Sequence, residues 1–341
     1  MSNLQLHWSE AELLSSHVMA EPLIVNGVRC HGGFADDGSY VSPRTLGRWP
    51  AIAQWQSNHR ETFHTEIVEA PLSQWPAHFP SVEQSKHLLR SGVTTPTASV
   101  LTRIGTVEGF GGLIREVGVA NLQSHFADGI DGTSLQHLDT GLFETHARDE
   151  VGHGAEAGHK EMWFAARDIA FDRAFGEDEV AGMLKRMGFG TAAAASAPVA
   201  LCPEIDGRLE AMLRFMISLM FIEVSAFHAF AWAEELLADN ALVAGEGLAA
   251  QIVSYIRADE TPHVAYLQTA LTEVRDRTMR TVDGGTIDGA TLIERMWTAA
   301  LADSLGARRE ALRQNTLEEI EFALIGRKDA ADVLAEFHAI S

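Results

Sequence analysis

The chain has 341 residues, enough for one large domain or two ordinary ones, with a core that needs no covalent staples. Its formal charge of −21, from 47 acidic against 26 basic residues, argues against nucleic acid or an anionic membrane as a partner. Only Cys30 and Cys202 are present, so no disulfide framework is expected and a reducing, cytoplasmic setting is the simpler reading.

Residues 1–12 carry acidic side chains and no apolar run, so they do not read as a signal peptide. The first 96 residues differ from the remainder. They hold most of the prolines and four of the seven tryptophans, and they lack long periodicity. Ser9 and Glu12 have capping-box spacing and predict a short helix reaching Met19. Residues 23–25 and 40–41 flank a glycine-rich stretch and read as a small hairpin. Residues 43–56 and 82–90 read as short helices. Region 1–96 is expected to be an arm or cover on the main body.

From residue 97 the pattern becomes helical. Leu101, Ile104, Glu108, Gly111, Gly112, Arg115, Val119 and Leu122 recur at spacings of three and four, with Glu108 in the middle of that face. The glycines favour close approach of another helix, or room for a ligand. The next helix starts near residue 133 or 139 and is expected to run to 175. It carries Asp149-Glu150-Val151-Gly152-His153, with His146, Glu150 and His153 on its buried stripe. A short helix at 178–187 and an Ala/Gly-rich crossover at 188–203 follow.

The helix expected at 204–239 is apolar almost all round. Residues 215–233 match a bilayer in length, but Glu223 at mid-membrane would be costly, so a buried core helix and no membrane are expected. Its stripe of Met216, Met220, Glu223 and Phe227 reads as core first and substrate pocket second. A helix at 248–279 carries Asp259-Glu260-Thr261-Pro262-His263. Gly284-Gly285 makes a turn, and three helices near 292–305, 307–325 and 329–338 close the chain. Residues 97–278 would form the bundle and 279–341 would complete the same domain.

The chemistry lies in the repetition. Each Asp-Glu-x-x-His stretch puts a carboxylate and an imidazole on one helix face. Neither can fill a metal's coordination shell alone. Two further helices, contributing Glu108 and Glu223, would complete a dinuclear site inside a four-helix bundle. Glu223 lies among Met220, Phe221, Ile222 and Phe227 with no Lys or Arg within a turn, so its burial demands a cation. Four carboxylates and two imidazoles suit iron or manganese, whereas zinc usually takes fewer ligands in tetrahedral geometry. Asp149 and Asp259 would each accept a hydrogen bond from the metal-bound His of the other helix.

This ligand order resembles the ferritin-like diiron carboxylate superfamily, over roughly residues 97–278. The resemblance implies that Glu108, Glu150 and His153 hold one metal and Glu223, Glu260 and His263 the other. It also implies that Glu150 and Glu260 bridge and take part in the chemistry, and that the reduced site activates dioxygen. Three positions depart from particular members. Ala157 stands where the ribonucleotide reductase subunit has its radical Tyr, and Phe227 where monooxygenase hydroxylases have a Thr. His146, four residues before Glu150, resembles the extra ligand of diiron N-oxygenases. In that family the extra His is on the last ligand helix, where this chain has Ile256. His146 is thus a candidate extra ligand, against a reading as a core His bonded to a backbone carbonyl.

Glu156 and His159 form a further Glu-x-x-His, but on a continuous helix of about 100° per residue they turn away from Glu150 and read as outside the site. His228 reads as off-face. Arg115 is a candidate anchor for a substrate carboxylate, against a structural salt bridge. No phosphate-binding loop or nucleophile elbow is present.

The expected fold is all-α: a ferritin-like four-helix bundle with an N-terminal arm and additional C-terminal helices. The expected function is O2-dependent diiron oxidation of a small organic substrate by hydroxylation, desaturation or N-oxygenation. Two Fe ions would serve, or Mn or mixed Mn/Fe. Electrons would come from a separate ferredoxin or reductase, since no flavin or iron–sulfur motif is visible. Assembly as a homodimer stays open. The alternatives are a ferritin-like iron or manganese storage protein, and a ligand-binding scaffold whose carboxylates pair with Arg.

Overall fold

The computed structural model describes residues 4–70, 72–189 and 199–340, so most of the expected crossover at 188–203 lies outside the described residues. The fold is mostly helical, 61% helix against 7% strand, as an all-α chain requires.

The N-terminal region begins with helix α1 (Glu10–Leu13), closed by the Ser9–Glu12 capping box. It ends at Leu13, well short of Met19. Three antiparallel strands follow, β1 (Glu21–Val25), β2 (Val28–Phe34) and β3 (Tyr40–Val41), in the order β1-β2-β3. The expected hairpin therefore has an additional middle strand. Its turn is Asn26-Gly27, both at positive φ (47° and 78°), the pairing that type I′ hairpins favour. Gly32 lies inside β2, and a Cβ there would overlap the Tyr40 ring. Helices α2 (Arg48–Phe63) and α3 (Val82–Arg90) complete the region. Leu13, Ile52 and Trp55 pack into the same core as the later helices, so this region shares their hydrophobic interior.

Helix α4 (Thr95–Glu108) stops at Gly109, and the chain tightens into a 3₁₀ segment, Gly111–Glu116. The single long face expected through Leu122 is thus broken. Close approach explains the glycines: a Cβ on Gly111 would collide with the Glu150 side chain, one on Gly112 with Val151, and one on Gly105 with Trp163.

The helix expected to run from residue 133 or 139 to 175 is in fact several pieces. A 3₁₀ segment (Ser134–His137) and a π-turn (Leu138–Leu142) lead into α5 (Phe143–Val151). A loop over 152–158 interrupts the helix, and α6 (His159–Ala170) begins afresh. Gly152 and Gly154 adopt φ of 77° and 62°, conformations that suit glycine and end a helix. The loop is fastened to β2, where Ala157 N–H donates to the Arg29 carbonyl at 2.8 Å.

Helix α7 (Glu177–Arg186) precedes the 31-residue α8 (Gly207–Leu237), capped by Asp206. By length and composition α8 could cross a membrane, but it runs through the core, with Met216, Met220 and Phe230 fully buried. Helix α9 (Leu248–Arg275) packs along it and runs unbroken through Pro262. A short hairpin, β4 (Thr278–Arg280) and β5 (Thr286–Asp288), leads to α10 (Gly289–Leu305), α11 (Ala307–Leu324) and α12 (Ala330–Ala339). Helix α9 packs against α8 and α6, and α6 against α4, with α5 wedged against the Gly111–Glu116 turn.

Candidate metal centre

Six acidic or imidazole side chains were expected to converge. Five of them do: Glu108, Glu150, Glu223, Glu260 and His263 are all buried in one cluster. The sixth does not. His153 lies on the 152–158 loop, exposed, because α5 ends before it can be carried round to the face of Glu150. His159 stands in its place. The same glycine loop that ejects His153 returns the chain so that the first residue of α6 points back at the carboxylates. Glu156, the other half of the second Glu-x-x-His, stays on the loop, half-buried, near Arg44.

His146 is the seventh member. Its Nε2 is 3.6 Å from Glu150 Oε1 and 3.5 Å from Glu223 Oε1. Its partner on the other nitrogen is the Tyr266 hydroxyl, 3.1 Å from Nδ1, where a backbone carbonyl had been the alternative. The ring stacks on His263 with centroids 3.8 Å apart.

The ligand-type atoms form three sets, of which His31, His159 and Asp259 lie beside the glutamates and the other two contain them. One comprises Glu108, Glu150, His159 and Glu260, and the other His146, Glu150, Glu223 and His263. Glu150 belongs to both: Oε2 is 3.4 Å from His159 Nδ1, and Oε1 is 3.3 Å from His263 Nδ1. Glu260 also faces both ways, with Oε1 2.7 Å from His159 Nδ1 and Oε2 2.6 Å from His263 Nδ1. Both oxygens of Glu150, Glu260 Oε1, His146 Nε2 and His159 Nδ1 are buried without a well-formed hydrogen bond. Atoms of this kind are costly in a dry interior unless a cation satisfies them, so the donor set fits a pair of metal ions.

The two aspartates lie on the far side of the histidines from the glutamates, and one of them is hydrogen-bonded to its histidine. Asp149 Oδ2 is 3.0 Å from His263 Nε2. Asp259 Oδ2 stands 3.7 Å from His159 Nε2, beyond hydrogen-bond reach, so of the two expected cross-helix bonds only that of Asp149 is formed, and the His beside Asp259 is His159 in place of His153. The N-terminal region anchors both. Arg44 Nε and Arg48 Nη2 reach Asp149 at 2.8 and 2.9 Å. His31 Nε2 and the Tyr40 hydroxyl reach Asp259 at 2.9 and 2.7 Å, and His31 Nδ1 contacts the Ala157 carbonyl at 3.1 Å. The arm read as a cover thus supplies four side chains that orient the site. Sequence inspection missed them because they sit on a short sheet and a helix start, far from any ligand pattern.

Electrostatics follows from burial and like-charge crowding. Burial, with Glu260 and Glu150 beside them, pushes Glu108 and Glu223 well above the usual carboxylate range. Burial would strip the proton from His159 and His263, but Glu260 overcomes it and both rise well above an ordinary imidazole. Burial and the neighbouring His263 depress His146. Burial opposes ionisation of Asp149 too, yet Arg44 and Arg48 hold it well below its normal value.

Two cavities touch the cluster. A pocket of about 80 Å³ lies between Glu108 and Glu223, lined by Val107, Gly111, Leu219 and Ile222. A larger one, about 290 Å³, reaches Glu108 from the side of α8 and α11, past Phe221, Ile222 and Ile104. The buried methionine stripe of α8 is core and lines neither. His228 lines the larger cavity, half-buried, with Nε2 3.3 Å from the Leu72 carbonyl. Arg115, the expected substrate anchor, is on the exposed 3₁₀ turn after α4, 3.7 Å from Glu144, and lines neither cavity. Helix α4 ends seven residues before it, so the shared face no longer exists.

No protein-family model matches this chain, and neither a curated protein nor a solved structure matches it.

Proposed function

We propose that the chain is an O2-dependent diiron oxidoreductase built on a ferritin-like four-helix bundle. One observation carries the reading: Glu150 and Glu260 each turn one oxygen toward His159 and the other toward His263. Two carboxylates disposed in this way can bridge two ions, with Glu108 and His159 completing one and Glu223, His146 and His263 the other. Four carboxylates and three imidazoles in a buried, preformed cluster suit iron, with manganese or a mixed pair as the near alternative. Such a pair, when reduced, supplies the electrons and the binding site for dioxygen chemistry.

The chain's own groups do the rest. Asp149 fixes the ring of His263 and raises its basicity, while Asp259 stands behind His159 as a nearby negative charge. Burial and the neighbouring Glu150 and Glu260 push Glu108 and Glu223 toward the protonated form, which bound cations would reverse. The apolar surroundings exclude water. The pocket of about 80 Å³ between Glu108 and Glu223 has room for a diatomic gas, and the larger cavity for a small organic substrate.

That larger cavity favours an enzyme over a storage protein, which has no use for an apolar chamber ending on a ligand. The arginines beside the cluster, Arg44 and Arg48, pair with Asp149 and not with the four glutamates, which favours metal over a purely ionic scaffold. Electrons would come from a separate ferredoxin or reductase, in the cytoplasm. Elemental analysis of the purified protein tests the reading first: about two first-row metal ions per chain are expected. Dioxygen uptake by the reduced protein tests it next. A protein that retains no metal when expressed with ample iron and manganese overturns it.

A further inference from the structure

The larger cavity carries a charge that the metal cluster does not use. Its wall and rim include Arg103 from α4 and Arg308, Arg309 and Arg313 from α11, in a chain whose net charge is −21. Three of the four are occupied. Arg308 pairs with Asp303, Arg309 donates to the Pro76 and Ala77 carbonyls, and Arg313 stacks on Phe79 with its guanidinium 5.0 Å from the ring. Arg103 makes no hydrogen bond or ion pair with any described residue, and its Nε is fully buried. Burial lowers its pKa to about 10, so it stays charged at neutral pH. A guanidinium lodged in a cavity wall without an acceptor is costly, and its planar fork matches a carboxylate.

We propose that Arg103 binds the acid group of a small organic carboxylate whose apolar body lies along Ile104, Val107, Phe221 and Ile222 toward Glu108. Arg103 and Glu108 are five residues apart on one helix, an axial rise of about 7.5 Å. A ligand held by its acid at Arg103 therefore presents a carbon or nitrogen several bonds away to the metal-facing end. This names the substrate class for the oxidation proposed above and rests on that reading for the chemistry, but the binding itself does not need the metals.

Binding at neutral pH is measured by calorimetry with octanoate and 4-phenylbutyrate and with their neutral amides, on metal-loaded and on chelator-treated protein. At least one acid should bind saturably, about tenfold or more tighter than its amide, as a charge-assisted hydrogen bond provides. The preference should persist without metal, vanish in Arg103→Gln and survive in part in Arg103→Lys. Equal affinity for acid and amide, or no saturable binding of either acid, overturns the assignment. So does a preference that disappears with the metals, since the acid was then a metal ligand, or one that Arg103→Gln retains. Should Arg103→Gln fail to fold, the acid–amide comparison in the wild type decides alone. Acid preference in a protein that never takes up metal leaves this site standing and removes the oxidase reading.

Discussion

Residues 149–153 and 259–263 carry the same Asp-Glu-x-x-His pattern and meet opposite fates. The second lies on a 28-residue helix and delivers Asp259, Glu260 and His263 to the cluster. The first loses its helix one residue after Glu150, and its His is left exposed on a loop. The second pattern contains a proline, normally a helix breaker, whereas the first contains only a glycine. The outcome is set by what surrounds each. Pro262 is fully inside α9, where its fixed φ is compatible with the helix and burial against α8 and α6 outweighs a lost hydrogen bond. Gly152 is followed by Gly154 and Gly158, and β2 and His31 hold the resulting loop. Identical spacing therefore yields identical geometry only where the helix continues.

The sharpest way to break this comparison is to exchange the histidines' fates. His159→Ala should reduce bound metal from about two ions to about one per chain or fewer, while His153→Ala should leave it unchanged. Elemental analysis decides, and equal loss in both variants would refute the inverted assignment.

Asp149→Asn comes next. It removes the counter-charge of two buried arginines and replaces one of the two accepting oxygens by an amide NH2, so stability should fall by about 3–5 kcal/mol. Metal affinity should weaken by about 10–100-fold. Denaturant unfolding and competitive chelation measure the two effects.

A third test lies in the tie between the two regions. Glu273 on α9 accepts from Ser134 N–H and Oγ–H and from Leu135 N–H, at the start of the segment leading to α5. Burial raises its pKa to about 7. The unfolded chain ionises near the ordinary value of about 4.5, so between the two values the folded state binds more protons. Stability should fall as pH rises across that window, by up to about 3 kcal/mol. Glu273→Gln should flatten this slope in paired unfolding titrations; an unchanged slope counts against the assigned shift.

The glycine loop gives the smallest effects. Gly152→Ala forces a Cβ into the Glu156 carbonyl at positive φ and should cost about 1–3 kcal/mol, with weaker metal binding through a displaced His159. Gly154→Ala, with open space around it, should cost about 1 kcal/mol or less and leave metal content intact.

Much of this protein was legible in the residues. The apolar length around Glu223 predicted a core helix with a buried carboxylate, and Glu108 was visible as a charge in the middle of a periodic face. Capping-box spacing located the start of α1. His159 was not legible, because its angle was reckoned along a helix that stops. The signal lies in Gly152, Gly154 and Gly158, three glycines in seven residues, which break the helix that the ligand spacing requires. The roles of Arg44, Arg48, His31 and Tyr40 had no local signal, since each acts on a residue at least a hundred positions away.

The order of residues alone determined which groups would be driven together: apolar periodicity buries whatever shares its face, and four glutamates share such faces. Which histidines joined them was decided only in three dimensions, because the direction of a side chain depends on where its helix ends. That ending is set jointly by glycine's freedom at Gly152 and by the strand β2 that grips Ala157, and no single stretch of sequence contains both.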